Sequence, residues 1–147
     1  MSTRCQIDFI VKWKDNKGKL HVEKRRVYRH SDGYPESVIP ALKAFLKWLT
    51  GKPQPRSFSD VEYTAANFIY WSKKRLLDWA ASSPKKDRKY LKGWEKLGFG
   101  ICGNDFHGDI EYFYEVIEGD RGVTVKVYEI GRPVRRKNFK LIQTVKL

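Results

Sequence analysis

The hydrophobic period of this chain changes twice, and the order of those changes restricts the folds open to it. In RCQIDFIVKWK, residues 4–14, the residues Cys5, Ile7, Phe9, Val11 and Trp13 recur at a period of two, the mark of a half-buried strand. DNKGK follows as a turn, with Gly18 free to take positive φ, and Leu20, Val22 and the run to Tyr28 resume the strand pattern. The two strands predict a β-hairpin. The period then becomes helical: Val38, Leu42, Phe45, Leu46 and Leu49 recur up to a stop at Thr50-Gly51. Pro40 fits this helix within its first turn, where a missing N–H costs nothing.

KPQPRS reads as a rigid linker, and Ser59-x-x-Glu62 predicts a capping box opening a longer helix to about Ser82. Its apolar stripe is Val61, Ala65, Phe68, Ile69, Leu76, Trp79 and Ala80. Pro84 closes it, and 85–96 is a charged connector carrying Tyr90 and Trp94. From Leu97 the strand grammar returns in LGFGICG, IEYFYEVIE, VTVKVYEI and FKLIQTV. Ile110, Tyr112, Tyr114 and Ile117 cannot share one side, so that strand is bulged or two-sided.

The order ββ–αα–ββββ has no βαβ alternation and no repeat. It predicts an α+β fold, a mainly antiparallel sheet with two helices packed on one face. The 147 residues suit a single domain, 1–147. Hydrophobic content of 41% and aromatic content of 14% argue against disorder. No apolar run reaches the ~18–20 residues of a membrane span. Charges through the N-terminal segment argue against a signal peptide, so a cytoplasmic location is expected. Cys5 and Cys102, without CxxC spacing, read as buried thiols rather than a disulfide.

Charge narrows the partners. Thirty Lys and Arg stand against 17 Asp and Glu, a net +13, which draws polyanions. The cations cluster in VEKRRVYRH, KKDRKYLKGWEK and GRPVRRKNFKLIQTVKL, whereas NDFHGDIEYFYEVIEGD holds six acids and no Lys or Arg. A basic face beside an acidic ridge is expected, the two pairing within the fold or across a homodimer.

The densest cluster is YRHSDGYP, residues 28–35. Asp32 and Gly33 read as turn formers, with Asp32 capping the helix, Gly33 supplying φ > 0, and Tyr34 and Pro35 stapling the turn. Turn chemistry leaves Arg29 and His30 unexplained; these are candidates to grip a phosphate while Tyr28 or Tyr34 stacks on a base. Arg25 and Arg26, and Arg132, Arg135, Arg136 and Lys137, extend the candidate site at other strand ends, with Trp71, Tyr90 and Trp94 as stacking platforms. Asp105-x-His107-x-Asp109, joined by His30 and Asp32, is the best arrangement for a divalent metal and hence for phosphodiester cleavage. No nucleophile elbow, Walker loop or zinc spacing accompanies it. The leading expectation is therefore binding without chemistry or cofactor. The ligand is a nucleic acid or nucleotide-type molecule, with a metal-dependent nuclease, or an inhibitor docking on an acidic host protein, as alternatives.

Tyr28-Arg29-His30-Ser31-Asp32-Gly33-Tyr34-Pro35 resembles the Tyr-Arg-x-x-Asp-Gly-Tyr-Pro signature of a family of small, uncharacterised phage and prokaryotic proteins. In that family it follows a hairpin and precedes a short helix and then a long one. GFGICGNDFHGDIEYFYEVIEG is similar to the family's later Gly-rich and Tyr-x-Tyr-x-Val strands. Where members carry a Ser-Gly-His-Gly-like segment after the proline, this chain has Glu36-Ser37-Val38-Ile39. The resemblance implies no activity, but it suggests an accessory or anti-defence factor of phage.

Overall fold

The computed structural model describes residues 2–85, 93 and 96–147. Strands β1 (Cys5–Lys14) and β2 (Leu20–Arg29) form the N-terminal hairpin, followed by helices α1 (Pro35–Leu49) and α2 (Val61–Ser82). Strands β3 (Phe99–Cys102), β4 (Tyr112–Gly119), β5 (Gly122–Ile130) and β6 (Phe139–Lys146) complete one sheet, ordered β3-β2-β1-β4-β5-β6. The fold is α+β, as the alternation of periods predicts. All neighbours are antiparallel except β1 and β4, which run parallel with Cys5 beside Tyr112. A strand so placed is covered on both sides, and Cys5–Val11 is buried without interruption.

Both helices lie on one face. Ile7, Phe9, Val27, Tyr114, Val116, Val125 and Val127 meet Val38, Leu42, Phe45, Val61, Ala65 and Phe68 there. Phe9 sits among the rings of Phe45, Phe58 and Phe68 at 5.3–6.1 Å between centroids. The opposite face carries a second, smaller core of Ile110, Phe113 and Ile130, against which Phe106, Tyr28, Tyr128 and Phe139 pack. Strand β4 is therefore two-sided: Tyr112, Tyr114 and Val116 face the helices, and Phe113 faces the smaller core. The irregularity lies elsewhere, in the β5–β6 register at Val127/Tyr128.

Several local expectations change. Tyr34 is the N-cap of α1 and Pro35 opens it, so Pro40 sits inside the helix, past the first turn, and removes an N–H from the ladder. The capping box does not form. Asp60 is the N-cap of α2 without a side-chain bond, Ser59 donates to Glu118, and Glu62 pairs with Arg25. The apolar stripe of α2 also ends early. Val61, Thr64, Ala65, Phe68 and Ser72 are buried, while Trp79 is 55% exposed. The expected connector aromatics, Tyr90 and Trp94, lie outside the described residues. No described helix is long and apolar enough to cross a membrane.

Candidate ligand-binding cleft

The turn from β2 into α1 is fixed from three sides. His30 N–H donates to the Gly98 carbonyl at 2.8 Å, and Gly33 N–H to the Thr3 carbonyl at 2.9 Å. The buried Tyr114 hydroxyl donates to the Gly33 carbonyl at 2.6 Å, and burial holds that phenol far above its ordinary range. Asp32, not Gly33, takes the positive φ, 54°, and it does not cap the helix. Gly33 is needed for another reason. A Cβ there would lie 2.9 Å from the Cys5 Cβ and 3.0 Å from the backbone of β1, so only glycine lets the turn rest on the strand.

Beside this turn opens a cleft of about 820 Å³. One wall is Arg29, His30, Ser31, Asp32 and Ser37; the other is Trp71, Ser72, Arg75 and Trp79 of α2, with Leu97–Phe99 between. Arg29 donates to the Ser31 carbonyl at 2.8 Å and to Ser37 Oγ at 3.0 Å, which aims its guanidinium along the wall. Arg75 lies 4.5 Å above the Trp71 ring. His30 Nδ1 is 3.4 Å from both Arg4 Nε and the Tyr28 hydroxyl. Two guanidinium groups and two indoles thus line one concavity, with Asp32 as a carboxylate at its rim, while the His30 ring is turned to Arg4 and Tyr28.

Of the sequence candidates, Arg29, His30 and Asp32 line this cleft, and Trp71 joins them. The others do not. Tyr28 points to the opposite face, where it stacks on His107 at 4.4 Å and donates to Asp109 at 3.3 Å. Burial, with the Asp109 charge added, pushes its phenol up to about 12. Tyr34 is 39% exposed and lies outside the cleft lining. Arg25 pairs with Glu62.

Arg26 is a structural residue rather than a surface cation. Its side chain is 5% exposed, binds both Asp8 oxygens at 2.7 and 2.9 Å, and donates to the Asn104 carbonyl at 2.7 Å. Its guanidinium also covers the Phe106 ring at 4.2 Å. Alternation explains this: neighbours on a strand face opposite sides, so Arg26 meets the loop face while Arg25 meets the helices.

Arg132, Arg135, Arg136 and Lys137 sit before β6, on the face away from the cleft. Arg136 lies 4.7 Å over Tyr128 and bonds Glu115 at 3.3 Å; Arg132 donates to the Gly108 carbonyl at 3.0 Å. Arg135 and Lys137 are exposed. The two arginine groups are therefore separated by the sheet and do not share a site. Part of the acidic ridge is consumed in pairing, through Arg136–Glu115 and Arg4–Asp109.

The Asp105–His107–Asp109 segment does not converge. Asp109 meets Arg4 and Tyr28, and His107 lies on the Tyr28 ring. Among the described residues no three of His, Cys, Asp and Glu stand together as a metal would require. His107 instead approaches Cys102, Nε2 to Sγ at 3.8 Å, while the buried Gln6 donates to that sulfur at 3.2 Å. Burial raises the Cys102 thiol above its ordinary range, outweighing the Gln6 bond and the Arg26 charge, so the sulfur stays protonated and weakly nucleophilic.

Sequence reading missed Arg75 and assigned Trp79 to the core. The signal was present in Trp71-x-x-x-Arg75-x-x-x-Trp79, a helical face carrying aromatics and a cation beside the main stripe. Comparison with protein-family models, curated proteins and solved structures gives no match. What the fold and cleft define is a class by architecture. It is an α+β protein with one mostly antiparallel sheet, helices on one face, and an aromatic, arginine-bearing cleft at the sheet's end.

Proposed function

We propose that this protein binds a phosphate-bearing, nucleotide-type ligand in the cleft between the 29–32 turn and α2, without chemistry. The single observation that carries the reading is the convergence of Arg29 and Arg75 with Trp71 and Trp79 on about 820 Å³ of concave space. That volume falls within the ~300–1,000 Å³ of small-ligand sites. Guanidinium forks suit phosphate oxygens, and the Arg75 guanidinium, lying on the Trp71 ring, offers a plane on which a base stacks. Asp32 offers an acceptor to a base amino group or a ribose hydroxyl. Its fixed turn pre-organises the wall, which lowers the entropic cost of binding. An accessory or anti-defence role in phage belongs to the same proposal and rests on the resemblance of the signature alone.

The test is titration of the full chain with adenosine and guanosine mono- and triphosphates, followed by tryptophan fluorescence and calorimetry. Saturable quenching is expected, and Arg75→Ala should weaken it at least about tenfold, or 1.4 kcal/mol. No saturation up to about 5 mM of any nucleotide, weaker than about −3 kcal/mol, refutes the proposal.

A further inference from the structure

The helices cover one face of the sheet. On the other face the small core around Phe113 and the pair Asp8–Arg26 cover one end, and Ile10 beside them is 4% exposed. Beyond Asp8 the register lays out a cationic plane. Ile10 faces Lys24 on one side and Ile117 on the other; Ile117 faces Thr124, and Thr124 faces Lys146. In the next rows Lys12 faces Val22 and Lys14 faces Leu20, while Lys126 stands between Glu115 and Thr144.

Lys12, Lys14, Lys24 and Lys146 are exposed and Lys126 is half-buried. The same alternation sends the strand acids Glu23 and Glu118 to the helix side, opposite Val11, and Glu129 there too, opposite Tyr112. Among the described residues the two strand carboxylates that do face this plane are engaged, Asp8 by Arg26 and Glu115 by Tyr128 and Arg136. Among the described residues, the five lysines therefore meet no strand carboxylate on this plane beyond Glu115, which faces Lys126 but is bonded to Tyr128 and Arg136. Four strand spacings from β2 to β6 span about 19 Å, the length of five to six nucleotides at ~3.4 Å each.

We propose that this open sheet face is a second polyanion surface, separate from the cleft, which lies along the phosphate backbone of nucleic acid. Ammonium groups act there as point charges without the bidentate geometry that reads bases, so binding is indifferent to sequence. Leu20 and Val22, 54% and 50% exposed, supply apolar contact to sugars.

The test is fluorescence anisotropy of labelled 20-nucleotide single strands and 20-base-pair duplexes over a KCl series, using the full chain. Engagement of all five lysines gives a slope of log K against log[KCl] of about −3.5 on single strands to −4.5 on duplex. In the triple variant Lys12→Gln, Lys24→Gln, Lys126→Gln the slope should fall by about 2–3, with at least a tenfold loss of affinity at low salt. The charge-matched set Lys43→Gln, Lys47→Gln, Lys52→Gln should leave the slope unchanged. Arg75→Ala should also leave it unchanged, which separates this surface from the cleft. Equal loss in both triple variants, or loss in Arg75→Ala, overturns the proposal. So does binding of phosphatidylserine vesicles with none of nucleic acid at about 25 mM KCl.

Discussion

Breaking the Asp8–Arg26 pair should cost more than removing it. Both side chains are nearly sealed from water, at 3% and 5% exposure, and joined by two bonds of 2.7 and 2.9 Å. Asp8→Leu strands a guanidinium inside the protein, and Arg26→Met strands a carboxylate; each should destabilise by about 3–5 kcal/mol. In a chain of 147 residues that is roughly 6–20 °C in Tm. The double variant Asp8→Leu, Arg26→Met removes both charges, and the remaining loss is that of the Asn104 carbonyl, which loses its donor at 2.7 Å, while the Asp105 carbonyl keeps Gln6 at 3.3 Å. That amounts to about 1–3 kcal/mol, less than either single change. Urea denaturation of the four proteins gives the cycle directly, and the coupling should be several kcal/mol. Single costs below about 1 kcal/mol, or a double cost equal to the sum of the singles, would refute the assignment of Arg26 as a buried structural cation.

Two further outcomes follow from the same geometry. Tyr114→Phe leaves the Gly33 carbonyl without its 2.6 Å donor and should lower stability by about 1–3 kcal/mol, read as the urea midpoint; an unchanged midpoint would show that the turn is not tied through this bond. The Asp15 carboxyl is held below its ordinary range, first by the His21 side chain and then by the Lys19 amide. Because its folded value lies below the unfolded ~3.9, its contribution is present above that pH and lost as pH falls through the folded value. Carboxyl NMR titration from pH 6 downward checks this, and titration at about 3.9 would contradict it.

Local periodicity made the elements legible because each depends on near neighbours. The hairpin, the Gly18 turn with φ 77°, and the Val38–Leu42–Phe45–Leu49 stripe follow from spacing and turn chemistry. What stayed hidden depends on pairing between distant strands. The parallel contact of β1 with β4 leaves no local trace and sets Glu115 beside Asp8; Asp8 meets Arg26 through the hairpin register, but the loop that buries the arginine, with the Asn104 carbonyl and the Phe106 ring, comes from far along the chain. The candidate site divided the same way. Arg29, His30 and Asp32 stood out because turn chemistry did not account for the first two, but Arg75 becomes part of the lining only once α2 crosses beside the turn. The acid–base sorting across the sheet was equally unreadable without the register.

The pairing of Cys5 with Tyr112 has a temporal consequence. The strand at the heart of the sheet leaves the ribosome early, yet its neighbour on one side is made only after the hairpin, both helices and β3. Until then a strand that the finished fold buries from Cys5 to Val11 presents an open edge, a template for mispairing with other chains. Fragments ending before Tyr112 should therefore aggregate rather than persist as compact intermediates, and maturation should wait on synthesis of Tyr112–Gly119.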